Sequence, residues 1–500
     1  MLALLLSPAC RADWKVVPSV DVRETYSDNV RQESSEFARS QFITDLGTSI
    51  AVSNNGPRLT LRGVFSNHLY GYSNNDIEGL NSSQRQLTAD ARARLIDDLL
   101  FLDATGSIGQ QSISAFGPQV NNNNGYSNAN RTEVSTWRIS PYVEHRFGAT
   151  ATAELRYARD EVKPGSFGLG NSVSDTTSLS LASGPLFRTV GWGLQLSDQK
   201  IDDSAGGNST TQTALANLRY RVNSSLDLTM TGGYDKYDYQ ALGGETAGKN
   251  YSLGFSWAPS TRTSIQASAG KRYFGNSYFL SANHRSRRTV WSINYNDGVT
   301  TTRAQFLIPA TIDTASMLDR LFSASIPDPI ARQQAVDAYI RAAGLPASLA
   351  NNINYFSNRF LLQKQLQLSA AFNGPRTTSI LAFNATRRNA LSTAQSDSAL
   401  LGSSLSTLND DTKQMSVSLL SNYRINSLTA VNLSLTAART ESLSTGIRDN
   451  QKLASLAMTR QIERRLKGAV ELRRNQGNAD VAGGRTYREN AISASLSLQL

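Results

Sequence analysis

The side chains that most often do chemistry in proteins are sparse in this sequence. It has three histidines, His68, His145 and His284, and one cysteine, Cys10. The histidines lie far apart, without the spacing of a metal site or of a catalytic pair with Asp or Ser. The glycine-rich stretches GLGNSVSD and GGET lack the following helix that a phosphate-binding loop needs. The sequence therefore predicts no enzyme, no metal and no cofactor.

Arginine is the remaining residue type that could bind a ligand. The chain carries a formal net charge of +10, and arginines far outnumber lysines among its 50 basic residues. Guanidinium groups bind carboxylates and sulfates well, which favours an anionic polymer or solute as ligand. Pairing with acidic residues such as Glu154, Asp227 and Glu471 is the alternative, and both stay open. The arginines that alternate with other polar residues are Arg62, Arg156, Arg188, Arg219, Arg221, Arg272, Arg285, Arg359, Arg376 and Arg473.

Strands must position these arginines. Residues 178–198 read SLSLASGPLFRTVGWGLQLSD, in which apolar and polar residues alternate on both sides of a Gly-Pro turn. This alternation predicts an antiparallel hairpin with one apolar and one polar face. The same unit recurs to give roughly 22 strands between Trp14 and Leu500. Short connections such as 183–185 alternate with long polar ones such as 112–132 and 199–210.

This organisation is typical of an outer-membrane β-barrel, with short turns at one edge and long loops at the other. The chain is 39% hydrophobic, which is little for a large buried core but enough for strands with one apolar face. Its apolar runs are too short for a transmembrane helix. We therefore predict an all-β fold, a transmembrane antiparallel barrel of about 22 strands in the bacterial cell outer membrane. The side chains expected to face lipid include Trp192, Leu194, Phe255 and Trp257.

Two segments depart from the strand pattern. Residues 1–12 resemble the remainder of a secretory signal peptide that would carry Cys10 away, with acylation of Cys10 as the alternative. The barrel would then comprise residues 13–500. Within it, residues 304–354 carry helix start and stop signals, and we expect them to form a plug or constriction in the lumen, because very wide barrels are plugged. An external helical hairpin is the alternative. In a plug, Arg320, Arg332 and Arg341 would meet the polar wall.

Three stretches suggest a family. They are WKVVPSVDVRETYSDNV (14–30), LIDDLLFLDATGSIGQQ (95–111) and SIPDPIARQQAVDAYIRAAGLPASL (325–349), the last followed by NYFSNRFLLQKQ (354–365). With them, the chain resembles the outer-membrane proteins associated with the PEP-CTERM and exosortase system, which occur at bacterial exopolysaccharide loci. The resemblance implies a role in exopolysaccharide production, expected to be export through the outer membrane. It supplies no catalytic or binding residues.

Two function hypotheses follow. In the first, the protein is a porin-like conduit that passes exopolysaccharide through a polar lumen. In the second, a plugged barrel anchors the envelope protein-sorting machinery and conducts nothing. An outer-membrane hydrolase is a distant third, because the histidines are scattered. The expected partners are outer-membrane lipid, an anionic polysaccharide and periplasmic polysaccharide-export components, and nucleic acid is not among them.

Overall fold

The protein forms one sheet of 22 strands and, within the residues described, one short helix. The computed structural model describes residues 14–74, 76–119, 125–127, 129–165, 170–204, 207–239, 241–243, 245–307, 355, 357, 359–392, 410–479 and 485–500. The strands are β1 (Lys15–Ser27), β2 (Gln41–Asn55), β3 (Leu59–Tyr72), β4 (Ser83–Ile96), β5 (Leu100–Ser112), β6 (Arg131–Phe147), β7 (Ala151–Pro164), β8 (Ser172–Ser183), β9 (Val190–Asp203), β10 (Gly207–Arg221) and β11 (Leu226–Asp238). They continue with β12 (Ala247–Ser260), β13 (Thr263–Arg272), β14 (Gly275–Arg285), β15 (Thr289–Thr301), β16 (Phe360–Asn373), β17 (Thr377–Ala390), β18 (Asp411–Arg424), β19 (Thr429–Ser442), β20 (Arg448–Gln461), β21 (Leu466–Ala479) and β22 (Arg485–Gln499). The helix is α1 (Thr302–Phe306), between β15 and β16.

The sheet closes on itself. Each strand pairs antiparallel with the next along the chain, and β1 pairs with β22 from Ser19↔Gln499 to Ser27↔Ala491. Closure gives every strand a hydrogen-bonded neighbour on both sides, which a sheet surrounded by lipid needs. The predicted barrel of about 22 antiparallel strands is confirmed.

The two faces of the barrel can be told apart by contacts that cross it. Asp160 of β7 and Glu489 of β22 bond to side chains of the helix α1 and of the β5–β6 connection, which come from distant parts of the barrel and can reach only inward-facing groups. The pairing register from β7 through β8 to β9 then places Trp192 and Leu194 on the opposite, outer face. Phe255 is also on the outer face and 39% exposed, so large apolar side chains surround the barrel as predicted.

The connections differ between the two edges. Tight turns such as 56–58 and 222–225 join strands at one edge, and longer segments such as 28–40 and 113–130 join them at the other. The expected long loop at 199–210 is wrong, because β9 and β10 stay paired as far as Asp203↔Gly207. Polar residues there continue the strands past the apolar belt, where lipid no longer demands apolar side chains.

A closed antiparallel barrel with an apolar outer surface is the form in which β-strands cross a bilayer, and it places the protein in the bacterial outer membrane. By the same rule, the tight turns mark the periplasmic edge and the longer connections the external edge. In the part of the chain that the structure describes, no helix is long and apolar enough to cross a membrane. The expected signal peptide, residues 1–12, lies outside the described residues.

Candidate functional site

Short polar side chains line much of the lumen. They alternate along each strand with the lipid-facing residues, so one sequence pattern specifies both surfaces. Inward-facing examples are Ser174, Thr176, Ser178 and Ser180 of β8, and Gln363, Gln365, Gln367 and Ser369 of β16. Such a wall can hydrogen-bond a hydrated or polyhydroxylated solute along its path.

Most of the predicted lumenal arginines are on the inner face of a strand. These are Arg62, Arg156, Arg219, Arg221, Arg272, Arg285 and Arg473. Arg359 directly precedes β16 and is 1% exposed. Arg188 and Arg376 differ, because they lie in tight turns at the periplasmic edge and on no strand. The turn between β8 and β9 comprises residues 184–189 and is longer than the predicted turn at residues 183–185. Within it, Leu186 N donates a hydrogen bond to Ala149 O of the neighbouring turn.

In the periplasmic half of the lumen, arginines pair with carboxylates on the same strand or at most two strands away. Arg156 lies 2.9 Å from Glu154 and 3.0 Å from Asp103. Arg221 lies 3.0 Å from Asp227 across the tight turn between β10 and β11. Glu154 and Asp227 thus pair with arginines in the way that the pairing alternative expects.

Near the external edge the ion pairs are more deeply buried. Arg272 bonds to the fully buried carboxylate of Asp235 at 2.8 Å. Arg359 lies 2.8 Å from Asp410. Such pairs are costly to break, because the partner left behind is a buried charge.

The segment that follows β15 turns into the lumen. Thr301 caps α1 by accepting a hydrogen bond from Ala304 N at 3.2 Å. Arg303 then forms an ion pair with Asp160 of β7, eight strands away around the barrel. Phe306 packs on Val134 and Val162. The start of the predicted helical insertion therefore contacts the opposite wall.

The connection between β5 and β6 also reaches distant strands. Gly117 N donates to Asp449 of β20 at 2.7 Å, and Gln451 donates to Gly117 O at 2.6 Å. Tyr126 donates its hydroxyl to Glu489 of β22 at 2.9 Å. We call the described residues of the two crossing segments, 113–119 with 125–127 and 302–307, together with the inward-facing residues they contact, the external mouth.

Glu489 is the centre of the mouth's polar network. Its side chain is fully buried and accepts hydrogen bonds from four groups, those of Ser27, Gln32, Tyr126 and Arg473. Burial raises the pKa of Tyr126, which keeps its hydroxyl protonated and able to donate. The network joins β1, β21, β22 and two connections, so it fixes the segment at residues 125–127 against the wall.

One cluster on the inner wall has side chains of metal-binding types. Asp21, Asp45 and His68 come from β1, β2 and β3, and their ligand atoms lie within 4.8 Å of one another. Their grouping was not predicted from the sequence, although each is at an inward-facing position. His68 Nδ1 lies 2.9 Å from Asp45, so a hydrogen bond already accounts for this pair. His145 and His284 instead have outward-facing strand positions.

Most of the predicted insertion, residues 304–354, lies outside the described residues. Only residues 304–307 at its start are described, and Arg320, Arg332 and Arg341 are not among them. The contacts of Arg303 and Phe306 are the nearest structural information on its path.

Comparison with known proteins adds only a similarity of fold. No family model and no curated protein matches the chain. The siderophore receptor PirA from Pseudomonas aeruginosa aligns with 98% of this chain and 81% of its own, at 10% identity and a TM-score of 0.48. The FrpB iron transporter from Neisseria meningitidis aligns with 97% of this chain and 82% of its own, at 9% identity and a TM-score of 0.47. This likeness carries no argument about ligand or activity.

Proposed function

We propose that this protein is an outer-membrane conduit for a polar polymer. The observation that supports it is the wall itself, where Ser, Thr, Asn and Gln side chains face the lumen along most strands. A barrel of 22 strands is wide enough to enclose an aqueous path. Hydroxyl and amide groups bind a sugar chain weakly at many points, which allows it to move along the wall.

The conduit would be gated at its external mouth. Two segments cross the lumen there, and both end in buried polar contacts with distant strands. We propose that residues 304–354 continue inward from α1 and narrow the lumen as a plug or constriction. In the alternative, an external hairpin, only the first residues of this segment, such as Gln305 and Phe306, would contact the lumen wall.

The polymer proposed is an exopolysaccharide, and periplasmic polysaccharide-export components would deliver it. This part of the proposal rests on the resemblance to the outer-membrane proteins of the PEP-CTERM and exosortase system. The lumenal arginines add little preference for an anionic chain, since Arg156, Arg221, Arg272 and Arg473 have carboxylate partners.

Deletion of the gene tests this function. We expect secreted polysaccharide to fall and periplasmic polysaccharide to accumulate, because synthesis continues while the exit is missing. Complementation with the wild-type gene should restore secretion. Unchanged amounts in both fractions would contradict the export proposal.

A plugged barrel with an assembly role is the second candidate. The buried network around Glu489 and the ion pair of Arg303 favour it, because they hold the crossing segments firmly in the lumen. In that case the deletion strain would secrete polysaccharide normally but mislocalise proteins that the envelope sorting system anchors.

A further inference from the structure

The outer surface of the barrel carries an arc of basic residues where the apolar belt ends toward the external edge. Six consecutive strands, β16 to β21, each place one there. Its members are Lys364, Arg387, Lys413, Arg439, Lys452 and Arg474, which we call the basic arc. Two residues nearer the periplasmic edge, the same face of each strand is apolar, with Leu366, Ala385, Met415, Ala437, Ala454 and Leu472.

The spacing of the arc brings like charges together. Lys364 is directly opposite Arg387, which is directly opposite Lys413. Like charges in directly opposed positions of a sheet repel each other and destabilise it. The arrangement therefore calls for an anion that lies over several strands at once.

The next residue in this row, Glu441, is directly opposite Lys413 but forms its ion pairs with Arg439 and Arg448 instead. Among the described residues, Lys364, Arg387 and Lys413 form no ion pair within 4.0 Å. Arg439 has one, at 3.8 Å to Glu441, and this carboxylate lies closer to Arg448, at 3.1 Å. On β4 and β7 of the same outer surface, by contrast, two arginines form ion pairs with carboxylates of nearby strands.

On β4 and β7, outward-facing arginines have their charge neutralised by carboxylates of nearby strands. There, Arg85 lies 2.6 Å from Glu133, and Arg159 lies 3.4 Å from Asp175. Both pairs face outward near the external edge, at a height comparable with the basic arc. In the basic arc, by comparison, Arg439 is the one described member with an ion pair, and that pair is long.

An apolar groove lies directly below the arc. It runs over β20 to β22 and is lined by Ala454, Leu456, Leu472 and Ile492, with Arg474 at its upper end. Ala454 is directly opposite Arg474 in the sheet, so its small side chain leaves the groove open beneath that guanidinium. Asp28 also lines the groove, and its carboxylate accepts two hydrogen bonds from Asn490.

We propose that the basic arc and this groove bind a phosphorylated lipid of the outer leaflet. Its phosphates lie over the basic side chains, at the level where the hydrocarbon core meets the headgroups. An acyl chain lies in the groove below Arg474. Basic residues next to a membrane attract anionic headgroups in this way, and a solute in the lumen cannot reach them.

Binding of bisphosphorylated lipid A to the purified full chain in dodecylmaltoside micelles tests the proposal, with native mass spectrometry as the readout. The test variant is R387Q/K413Q/R474Q. The matched control is R85Q/R159Q/K200Q, which removes two arginines and one lysine from the outer surface of β4, β7 and β9. Heat-modifiable gel mobility shows whether each variant is folded.

We expect the test variant to bind lipid A on the order of 100-fold more weakly, since each basic group contributes roughly fivefold. The control variant should bind lipid A as tightly as the wild type does. Lipid A without its phosphates should bind the wild type weakly, with an affinity similar to that of intact lipid A for the test variant. Equal losses in the two folded variants would overturn the proposal. Equal binding of the two lipids by the wild type would also overturn it.

Discussion

The two ends of the lumen use charge differently. At the periplasmic end, Arg221 and Asp227 form an ion pair across one tight turn, and the arginine remains 43% exposed. At the external end, Arg303 reaches Asp160 across the barrel, and both side chains are at least 92% buried. The first kind of pair keeps a charged group against the wall, whereas the second holds a segment of chain inside the lumen.

This difference indicates where passage would be controlled. Exposed ion pairs exchange with water and contribute about 0–1 kcal/mol, so the periplasmic end can yield to a solute. Buried pairs leave an uncompensated charge when one partner is removed, at a cost of about 3–5 kcal/mol. If the barrel conducts as proposed, the external mouth would open only when its crossing segments move together.

The largest effect is expected at the centre of the mouth. Glu489→Ala removes the carboxylate that four groups contact and leaves Arg473 buried without it. We expect the free energy of unfolding to fall by about 3–5 kcal/mol. The matched substitution at the other end, Asp227→Ala, should cost no more than about 1 kcal/mol. Denaturant titration of both variants in detergent makes the comparison, and equal losses would remove the distinction between the ends.

A smaller effect is expected in the wall between the two ends. Leu194→Arg places a charge on the lipid face near the middle of β9, which should cost about 2–4 kcal/mol and impair insertion. Gln195→Arg should be tolerated, because Gln195 is the next residue along β9 and faces the lumen. Folding into lipid vesicles, followed by gel mobility, measures both. If they insert equally well, the assignment of faces is incorrect.

The barrel was predictable because its signals are local. Alternation within a strand, as from Val190 to Leu196, specifies two faces without knowledge of any other strand. Connection lengths then predict the two edges. The error at 199–210 arose because polar residues are compatible both with a loop and with a strand that extends beyond the membrane.

The external mouth was not predictable in the same way. Arg473 was identified as lumenal, but its contact with Tyr126 joins residues 347 positions apart. The pair of Arg303 and Asp160 spans 143 positions and depends on how the barrel closes. By contrast, Glu154 and Asp227 were named as possible partners, and each lies within a few residues of an arginine that it contacts.

Single-channel conductance in planar lipid bilayers tests most directly whether the external mouth gates a conduit. The variant lacks residues 304–354, with a short Gly-Ser linker between β15 and β16, and gel mobility confirms that it is folded. Removal of Phe306 and the rest of the insertion frees the lumen next to Val134 and Val162. We predict a small conductance for the wild type and a severalfold larger one for the variant. Equal conductances would contradict the account, because the insertion would then lie outside the path through the barrel.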